Sequence, residues 1–449
     1  MSGVEINTDF LTKCSDFYHI DHANQLISNT VVKNGINNSS MNHRALSKMY
    51  HEFSEEIEVG KVTHQKQTGR CWMFAALNTI RYAISKELKL KDKDFELSQS
   101  FTMFWDKFEK ANYFMESIID TLDEDLQSRT VSWLLENPTN DGGQWDMFVS
   151  LVEKYGIVPK YAMPESFHSS NSRQMNYIIN YFSRDAAKIL RDMHKNHSTI
   201  EQIREKKEEL LVSFYAILCH FLGEPPKKMD FEYRDEDGAF HREKDLTPLE
   251  FYKRFSPIKL TEYVSIINAP TEDKPYGKTY SVKYLGSVMG PRQIHYLNLP
   301  SSVLKELAVK QLKDKEPVWF GCDVGKFLDR DLGIMDTQLY DYEGLLSYYF
   351  NLTKADRLNY RGSCLTHAMV FTGVNIKDDQ PRKWKVQNSW GEEPGKKGYF
   401  IMSDEWFDEY NYEIAVHKKY LSKEQLEMYD QPPIVLEPWD PMGSLAKAQ

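Results

Sequence analysis

The stretch Gln65-Lys-Gln-Thr-Gly-Arg-Cys-Trp72 leads into a run whose apolar residues recur at spacings of three and four. That spacing predicts a helix over residues 71–88, opened by Cys71 and preceded by a glycine-containing loop. A helix start of this kind exposes backbone N–H groups and the positive end of the helix dipole, which favour a reactive thiolate. Cysteine is also often a small buried hydrophobe, so Cys71 alone leaves both roles open.

Three other residues offer what a catalytic thiolate needs. His367 stands near the start of an apolar stretch, and an imidazole there can act as partner and general acid. Asn388, at a predicted strand end, can fix the orientation of that imidazole, with Trp390 shielding the contact from water. The Gln65 amide can stabilise an oxyanion together with the Cys71 N–H. Each of these residues, taken alone, also has an ordinary structural explanation.

Taken together, the sequence motifs around these residues resemble those of the papain-like cysteine peptidases. The matching motifs are Gln65 with Cys71-Trp72, His367-Ala368, Asn388-Ser-Trp-Gly391, Glu96-Leu-Ser-Gln99 and Asn140-Asp-Gly-Gly-Gln-Trp145. Glu96–Gln99 resembles the helix-joining segment of that family. Gly142 and Gly143 resemble its double-glycine wall, where the backbone of the substrate pairs with the enzyme.

The departures from papain narrow the resemblance to one branch. Position 68 is Thr, where secreted papain-type enzymes usually have a second cysteine, and neither a secretory signal nor a pro-segment is recognisable. His367 follows Cys71 at roughly twice the ~130–150 residues typical of mature papain-type chains, which predicts a large insertion. The words at 65–72, 141–146 and 437–443 resemble the bleomycin hydrolase and aminopeptidase C branch, and the resemblance spans essentially the whole chain.

The resemblance implies an α+β, papain-like fold with two lobes. Residues 1–184 are predicted to form the N-terminal region and the helical lobe that carries Cys71. Residues 185–260 are predicted to form a helical insertion with a hook-like oligomerisation segment. Residues 261–430 are predicted to form a β-rich, barrel-like lobe that carries His367 and Asn388. Residues 431–449 are predicted to form a C-terminal arm that enters the cleft.

The resemblance also implies an aminopeptidase that releases N-terminal amino acids through a Cys71 acyl-enzyme. Its expected partners are peptides with a free N-terminus, its expected assembly is a homohexamer, and its expected location is the cytoplasm. The substrate would contact Gly142, Gly143, Trp390 and the arm around Ala446. The arm of relatives ends soon after the Gly443–Ala446 segment, so Lys447-Ala-Gln449 is either trimmed or displaces the carboxylate that would pair with the substrate amine.

The bulk composition limits other functions. The net charge is −10, which disfavours binding of nucleic acid or an anionic membrane over the whole surface. No run approaches ~18 apolar residues, so no membrane helix is expected. Five cysteines without a CxxC word predict reduced thiols. No metal or other cofactor is expected, since the HxxH words at 19–22 and 194–197 lack a third ligand nearby. An endopeptidase and, less favoured, a nucleic-acid-binding relative remain as alternatives.

The secondary structure predicted from the sequence changes along the chain. The first half is predicted to be mainly helical, including residues 185–223, and residues 224–249 are predicted to form a polar surface excursion. Strands are predicted at 365–374, 383–388 and 412–421, with a loop at 391–398.

Overall fold

A computed structural model of the chain describes residues 3–136, 138–290 and 292–447, apart from the side chains of Ala446 and Lys447. Its helices are α1 (Thr8–Ile20), α2 (Ala23–Asn34), α3 (Ile36–Ser40), α4 (His43–Leu46), α5 (Cys71–Glu87), α6 (Gln99–Asp120), α7 (Arg129–Glu136), α8 (Trp145–Tyr155), α9 (Phe167–Ser170), α10 (Arg173–Lys195), α11 (Ile200–Leu222), α12 (Pro248–Phe255), α13 (Ser301–Lys313), α14 (Tyr342–Leu346), α15 (Lys354–Asn359), α16 (Asp404–Tyr410) and α17 (Lys423–Tyr429).

The strands are β1 (Glu55–Glu56), β2 (Met229–Arg234), β3 (Phe240–Leu246), β4 (Tyr263–Ile267), β5 (Thr279–Val282), β6 (Tyr296–Asn298), β7 (Val318–Cys322), β8 (Leu328–Asp329), β9 (Ile334–Met335), β10 (His367–Lys377), β11 (Gln380–Gln387), β12 (Tyr399–Ser403), β13 (Asn411–His417) and β14 (Ile434–Leu436). One large mixed sheet has the order β14-β5-β6-β4-β13-β7-β10-β11-β12-β9-β8, with β1 also paired to β10, while β2 and β3 form a separate hairpin. The predicted α+β fold class is therefore confirmed.

Helix α5 lies between helices α6 and α8 and the large mixed sheet. Its residues from Cys71 to Arg81 are all buried, because the helix contacts β7 and β10 on one side and α6 and α8 on others. A helix that is enclosed in this way stands at the centre of a hydrophobic core rather than at its surface. The first residue of α5 is therefore held firmly against the start of β10.

The pairing of β10 with β11 explains how two distant sequence positions meet. The strands are antiparallel, and Val370 pairs with Gln387. His367 is the first residue of β10, and Asn388 directly follows β11, so both lie at the same end of the hairpin. On its other side β10 pairs with β7, where His367 is opposite Cys322.

The insertion differs in detail from the sequence-based prediction. The predicted helix over residues 185–223 is two helices, because α10 begins at Arg173 and the chain turns at residues 196–199 before α11. The prediction of a surface excursion at residues 224–249 is wrong in part. Residues 229–246 form the β2–β3 hairpin, and its Met229, Phe231 and Leu246 are buried in the main core.

The segment boundaries can be compared with the elements. The predicted boundary at residue 185 falls inside α10, and the boundary at 261 falls shortly before β4. Residues 55–56 of the N-terminal region add β1 to the sheet. Among the helices of the described ranges, none combines the length and apolar composition needed to cross a membrane. All five cysteines are free thiols, as predicted.

Candidate active site

The Cys71 thiol lies at the N-terminus of α5 and is almost fully buried. The backbone N–H groups of Cys71 itself, Trp72 and Ala368 act on its sulfur and lower the pKa of the thiol. The third donor belongs to the residue after His367, so the thiol bridges α5 and the start of β10. These donors and the helix dipole stabilise negative charge on the sulfur.

The turn before the thiol is fixed from the side of the helical lobe. Arg70 is buried, and its guanidinium forms two hydrogen bonds to the Glu165 carboxylate, of 2.9 and 3.2 Å. The same guanidinium lies over the Phe74 ring, 5.0 Å from its centroid. A planar, two-pronged ion pair of this kind restricts the backbone on which Cys71 stands.

His367 and Asn388 form the pair that the sequence predicts. The Nε2 atom of His367 is 2.8 Å from the Asn388 Oδ1, so the neutral ring donates from Nε2 and leaves Nδ1 as the other polar atom of the ring. The Ser389 N–H also donates to this Oδ1, at 2.8 Å, and holds the amide in place. The Trp390 ring lies 4.9 Å from the His367 ring, centroid to centroid, and covers the contact.

Burial opposes a single charge at this site. It raises the pKa of the Cys71 thiol to about 11, although three N–H groups act in the opposite direction. It also lowers the pKa of His367 to about 4, against the hydrogen bond with Asn388. A lone thiolate or a lone imidazolium is therefore disfavoured. Transfer of the thiol proton to the imidazole creates both charges together, and each then stabilises the other.

Gln65 lies in the loop before Cys71 and is held by hydrogen bonds to Ser389 and Thr68. Its backbone N–H donates to the Ser389 carbonyl at 2.8 Å, and its Oε1 accepts from the Ser389 hydroxyl at 2.6 Å. Its Nε2 donates to the Thr68 carbonyl at 2.6 Å. An amide nitrogen carries two hydrogens, so the second can donate to an oxyanion. Ser389 thus positions Gln65, a role that the sequence analysis did not assign.

The two glycines lie beside the residue that follows the nucleophile. A Cβ atom added to Gly143 would come within 2.5 Å of the Trp72 ring, so only glycine fits there. The Trp72 indole donates to the Asp141 carbonyl at 2.8 Å, and the Lys110 ammonium donates to the Gly142 carbonyl at 2.5 Å. The wall is therefore packed directly against the start of α5.

Asp141 connects this wall to the loop before the thiol. Its carboxylate accepts from the Gly69 N–H at 3.1 Å and from Asn176 at 3.0 Å, forms a 2.7 Å ion pair with Lys107, and accepts a short hydrogen bond from Ser172. Burial alone would raise the pKa of Asp141, but the Lys107 ammonium and these donors hold it well below its usual range. Asp141 belongs to the motif at residues 140–145, but its partners can be recognised only in the folded structure.

The C-terminal arm, residues 431–447 of the described chain, lies between the two lobes. The Met442 carbonyl accepts from the Gln144 amide and from the Tyr296 hydroxyl, both at 3.4 Å. The Ser444 hydroxyl donates at 2.8 Å to the carbonyl of Leu365, close to His367 in the chain. The arm therefore contacts the residue after the double glycine on one side and the segment before His367 on the other.

Side chains within the arm anchor it further. Met442 and Leu445 are fully buried in the main core. Asp440 forms a 2.9 Å ion pair with the buried Lys274, and the Arg129 guanidinium stacks on the Trp439 ring at 3.7 Å. The predicted contact around Ala446 concerns a side chain outside the described residues. Ala448 and Gln449, for which trimming and a displaced carboxylate are both open, also lie outside them.

The structure thus brings Gln65, Cys71, His367, Asn388 and Trp390 to one place, with Gly142 and Gly143 beside it. The HxxH words are not part of this site, and His194 pairs with Asp123 at 2.9 Å. Within the described ranges, no three His, Cys, Asp or Glu side chains are grouped so that they could hold a metal ion.

Comparison with known proteins gives consistent matches over the whole chain. A model of the Peptidase C1-like family matches residues 5–443. The chain is 49% identical to aminopeptidase C of Listeria innocua over 99% of this chain and 100% of the relative. It is 48% identical to aminopeptidase C of Streptococcus thermophilus over 98% and 99% of the two chains. The crystal structure of PepW from Lactobacillus rhamnosis HN001 aligns with a TM-score of 0.96 at 48% identity, covering 99% of each chain.

Proposed function

The chain belongs to the Peptidase C1-like family, and we infer that it is a cysteine aminopeptidase that releases N-terminal amino acids from peptides. The observation that carries this inference is the C-terminal arm, which contacts Gln144 on one lobe and Leu365 on the other. An extended substrate has to lie along that same wall. The arm leaves room for one residue before the bond to be cut, but not for further residues on that side.

The first half of the proposed reaction is acylation. The imidazole of His367 takes the thiol proton, and the Cys71 sulfur attacks the carbonyl carbon of the first substrate residue. The negative charge that develops on the carbonyl oxygen is stabilised by the Gln65 amide and the Cys71 N–H. The bond to the leaving amine then breaks as His367 returns its proton to that nitrogen.

The second half is hydrolysis of the thioester. With the leaving peptide gone, His367 is neutral again and takes a proton from a water molecule as the water attacks the thioester carbonyl. The same two donors stabilise the second oxyanion. The Cys71 sulfur then departs and recovers its proton, and the free amino acid is released. Asn388 keeps the ring in one orientation throughout, because its Oδ1 accepts from Nε2.

A matched pair of substrates tests this function. An aminoacyl fluorogenic substrate with a free α-amine and its N-acetylated counterpart differ only in the group that would meet the arm. We expect a kcat/KM at least about 100-fold higher for the free amine, because the acetyl group clashes with the arm and removes the positive charge. Equal values would favour the endopeptidase alternative. A salt-dependent shift of DNA at near-physiological salt would instead support the nucleic-acid-binding alternative.

We further propose that the protein acts as a cytoplasmic homohexamer. Support comes from α1 and α2, none of whose side chains is buried within the single chain. Phe17, Ile20 and Val32 on these helices are 76%, 78% and 84% exposed. Large apolar side chains exposed on two neighbouring helices are typical of an interface between subunits. Light scattering should give an assembly mass of six times the 52.7 kDa chain mass. The double variant Phe17→Ser, Ile20→Ser should have a lower assembly mass. A monomeric wild-type protein would contradict the assembly.

A further inference from the structure

A cavity of about 390 Å³ lies at the end of α5 opposite to Cys71. We call it the rear cavity. Its apolar floor is formed by Trp145 of the helical lobe and by Tyr263, Trp319 and Ala415 of the sheet. The Trp145 ring lies 5.8 Å from Tyr263 and 5.7 Å from Trp319, centroid to centroid. Aromatic walls and this volume are typical of a small-molecule site, for which ~300–1,000 Å³ is common.

Two polar atoms of the lining lack a hydrogen-bond partner. The indole Nε1 of Trp145 has no hydrogen-bond partner, although the residue is only 2% exposed. The Oε2 atom of Glu316 is also buried and unpaired, whereas its Oε1 accepts from the Lys419 ammonium at 2.6 Å. Buried polar groups are costly without a partner. One donor and one negatively charged acceptor are thus available to a ligand in the cavity.

The rim supplies the opposite charge. Lys86 and Lys259 line the cavity, and in the described part of the chain neither forms an ion pair. The Lys86 ammonium lies over the Tyr82 ring at 5.9 Å from the centroid. A third rim lysine, Lys315, is already paired with Glu55 at 2.8 Å. Unpaired ammonium groups at the mouth of an aromatic cavity favour a carboxylate.

We propose that the rear cavity binds a free amino acid with an aromatic or large apolar side chain. The side chain of the ligand packs on Trp145, Tyr263 and Trp319. Its carboxylate pairs with Lys259 and Lys86, and its ammonium donates to the Glu316 Oε2. A neutral aromatic molecule would leave the Glu316 Oε2 atom and the two rim ammonium groups without a partner. Free amino acids are also the products of the proposed aminopeptidase reaction, and this link to turnover rests on that proposed function.

The cavity also contacts both walls of the active site. The Trp319 indole donates at 3.1 Å to the carbonyl of Trp72, the residue after the nucleophile. Trp145 follows Gln144, which donates to the arm. The ligand would therefore lie beneath the same residues that position the catalytic thiol and the arm, but at the far end of α5.

Calorimetry on the full-length protein tests the proposal, with Cys71 alkylated by iodoacetamide so that the active site is blocked. L-phenylalanine is the probe, and 3-phenylpropanoate and L-phenylalaninamide are the controls that lack its ammonium and its carboxylate. We expect one saturable site for phenylalanine and binding at least about tenfold weaker for each control. No binding of phenylalanine, or equal affinity for all three probes, would overturn the proposal.

Two substitutions locate the binding. Ala83→Trp fills the cavity from the exposed side of α5, and Lys259→Glu reverses the charge at its rim. Each should weaken binding at least about tenfold, whereas Lys259→Arg should retain it. Circular dichroism and thermal unfolding before alkylation show that each variant is folded. Unchanged binding in both Ala83→Trp and Lys259→Glu would place the ligand elsewhere and contradict the assignment. Because binding is measured with Cys71 blocked, failure of the proposed catalytic function would not alter this result.

Discussion

The environment of Cys71 disfavours a thiolate without an imidazolium, and it equally disfavours an imidazolium without a thiolate. The thiol is buried, yet three backbone N–H groups converge on its sulfur, one of them from Ala368 on the facing strand. His367 is equally buried and is oriented by Asn388. This arrangement favours a proton transfer that creates the two charges together, in contact with donors that are already in place. It also keeps the thiolate from forming without its partner.

Replacing the nucleophile tests its role at the residue scale. Cys71→Ala should lower kcat by at least about 10⁴-fold, because no other thiol can form the acyl-enzyme. The control is Cys219→Ala, which removes a half-buried thiol from α11 and should leave turnover unchanged. Circular dichroism and thermal unfolding check that both variants fold. Activity of Cys71→Ala close to that of the wild type would remove Cys71 from the mechanism.

The buried imidazole predicts a pH dependence of stability. Burial lowers the pKa of His367 from its ordinary value of 6.5 to about 4. Between these values the unfolded chain binds more protons at this residue than the folded chain, so stability falls as the pH drops from 6.5 to about 4. The contribution has a slope of up to about 1.4 kcal/mol per pH unit. The free energy of unfolding of the wild type minus that of His367→Gln, measured with urea at a series of pH values, should show this slope. The same pH dependence in both proteins would contradict the prediction.

The residues of the site differ in how far the sequence could predict them. Gln65, Cys71, His367 and Asn388 were predicted from their order and their neighbouring words, and the fold places them together. The positioning partners were not predicted. Ser389 holds Gln65 from a distant part of the chain, and Asp141 joins Lys107 to the Gly69 N–H. Such contacts depend on tertiary structure, so no local spacing of residues indicates them.

At the scale of elements, the junction between α5 and the double-glycine segment limits what the site tolerates. A Cβ at Gly143 would lie 2.5 Å from the Trp72 ring. Gly143→Ala should therefore displace Trp72, destabilise the fold by about 1–3 kcal/mol and lower kcat/KM. Gly325→Ala is the matched control, because a Cβ there meets no atom within 4 Å. Urea unfolding and turnover measure both effects, and wild-type behaviour of Gly143→Ala would show that this contact is unimportant.

The elements themselves were predicted unevenly, for physical reasons. Helix α5 and strand β11 follow strong apolar periodicities, so their predictions agree closely with the structure. The β2–β3 hairpin was missed, although Met229–Arg234 alternates apolar and polar residues and an Asp-Gly pair lies in the turn that follows. The charged residues around it indicated a solvated loop. Its buried face is provided by the main core, which only the tertiary structure reveals.

The whole molecule adds a restriction to a papain-like site. The arm is held by a buried ion pair between Asp440 and Lys274, by the burial of Met442 and Leu445, and by hydrogen bonds to both lobes. Contacts of this number and burial indicate a fixed part of the site rather than a loose tail. We propose that the arm is the element that separates an aminopeptidase from an endopeptidase on the same catalytic residues.

Removal of the arm tests this central claim most directly. The measurement is the ratio of kcat/KM for the free-amine substrate to that for its N-acetylated counterpart, in the full chain and in a variant ending at Glu437. Ser444→Ala, which loses the hydroxyl that donates to the Leu365 and Pro441 carbonyls, serves as a control for small changes. We predict that the ratio falls at least about tenfold in the truncated enzyme, because blocked substrates gain access, while Cys71-dependent cleavage persists. An unchanged ratio in a folded, active truncated enzyme would contradict the account.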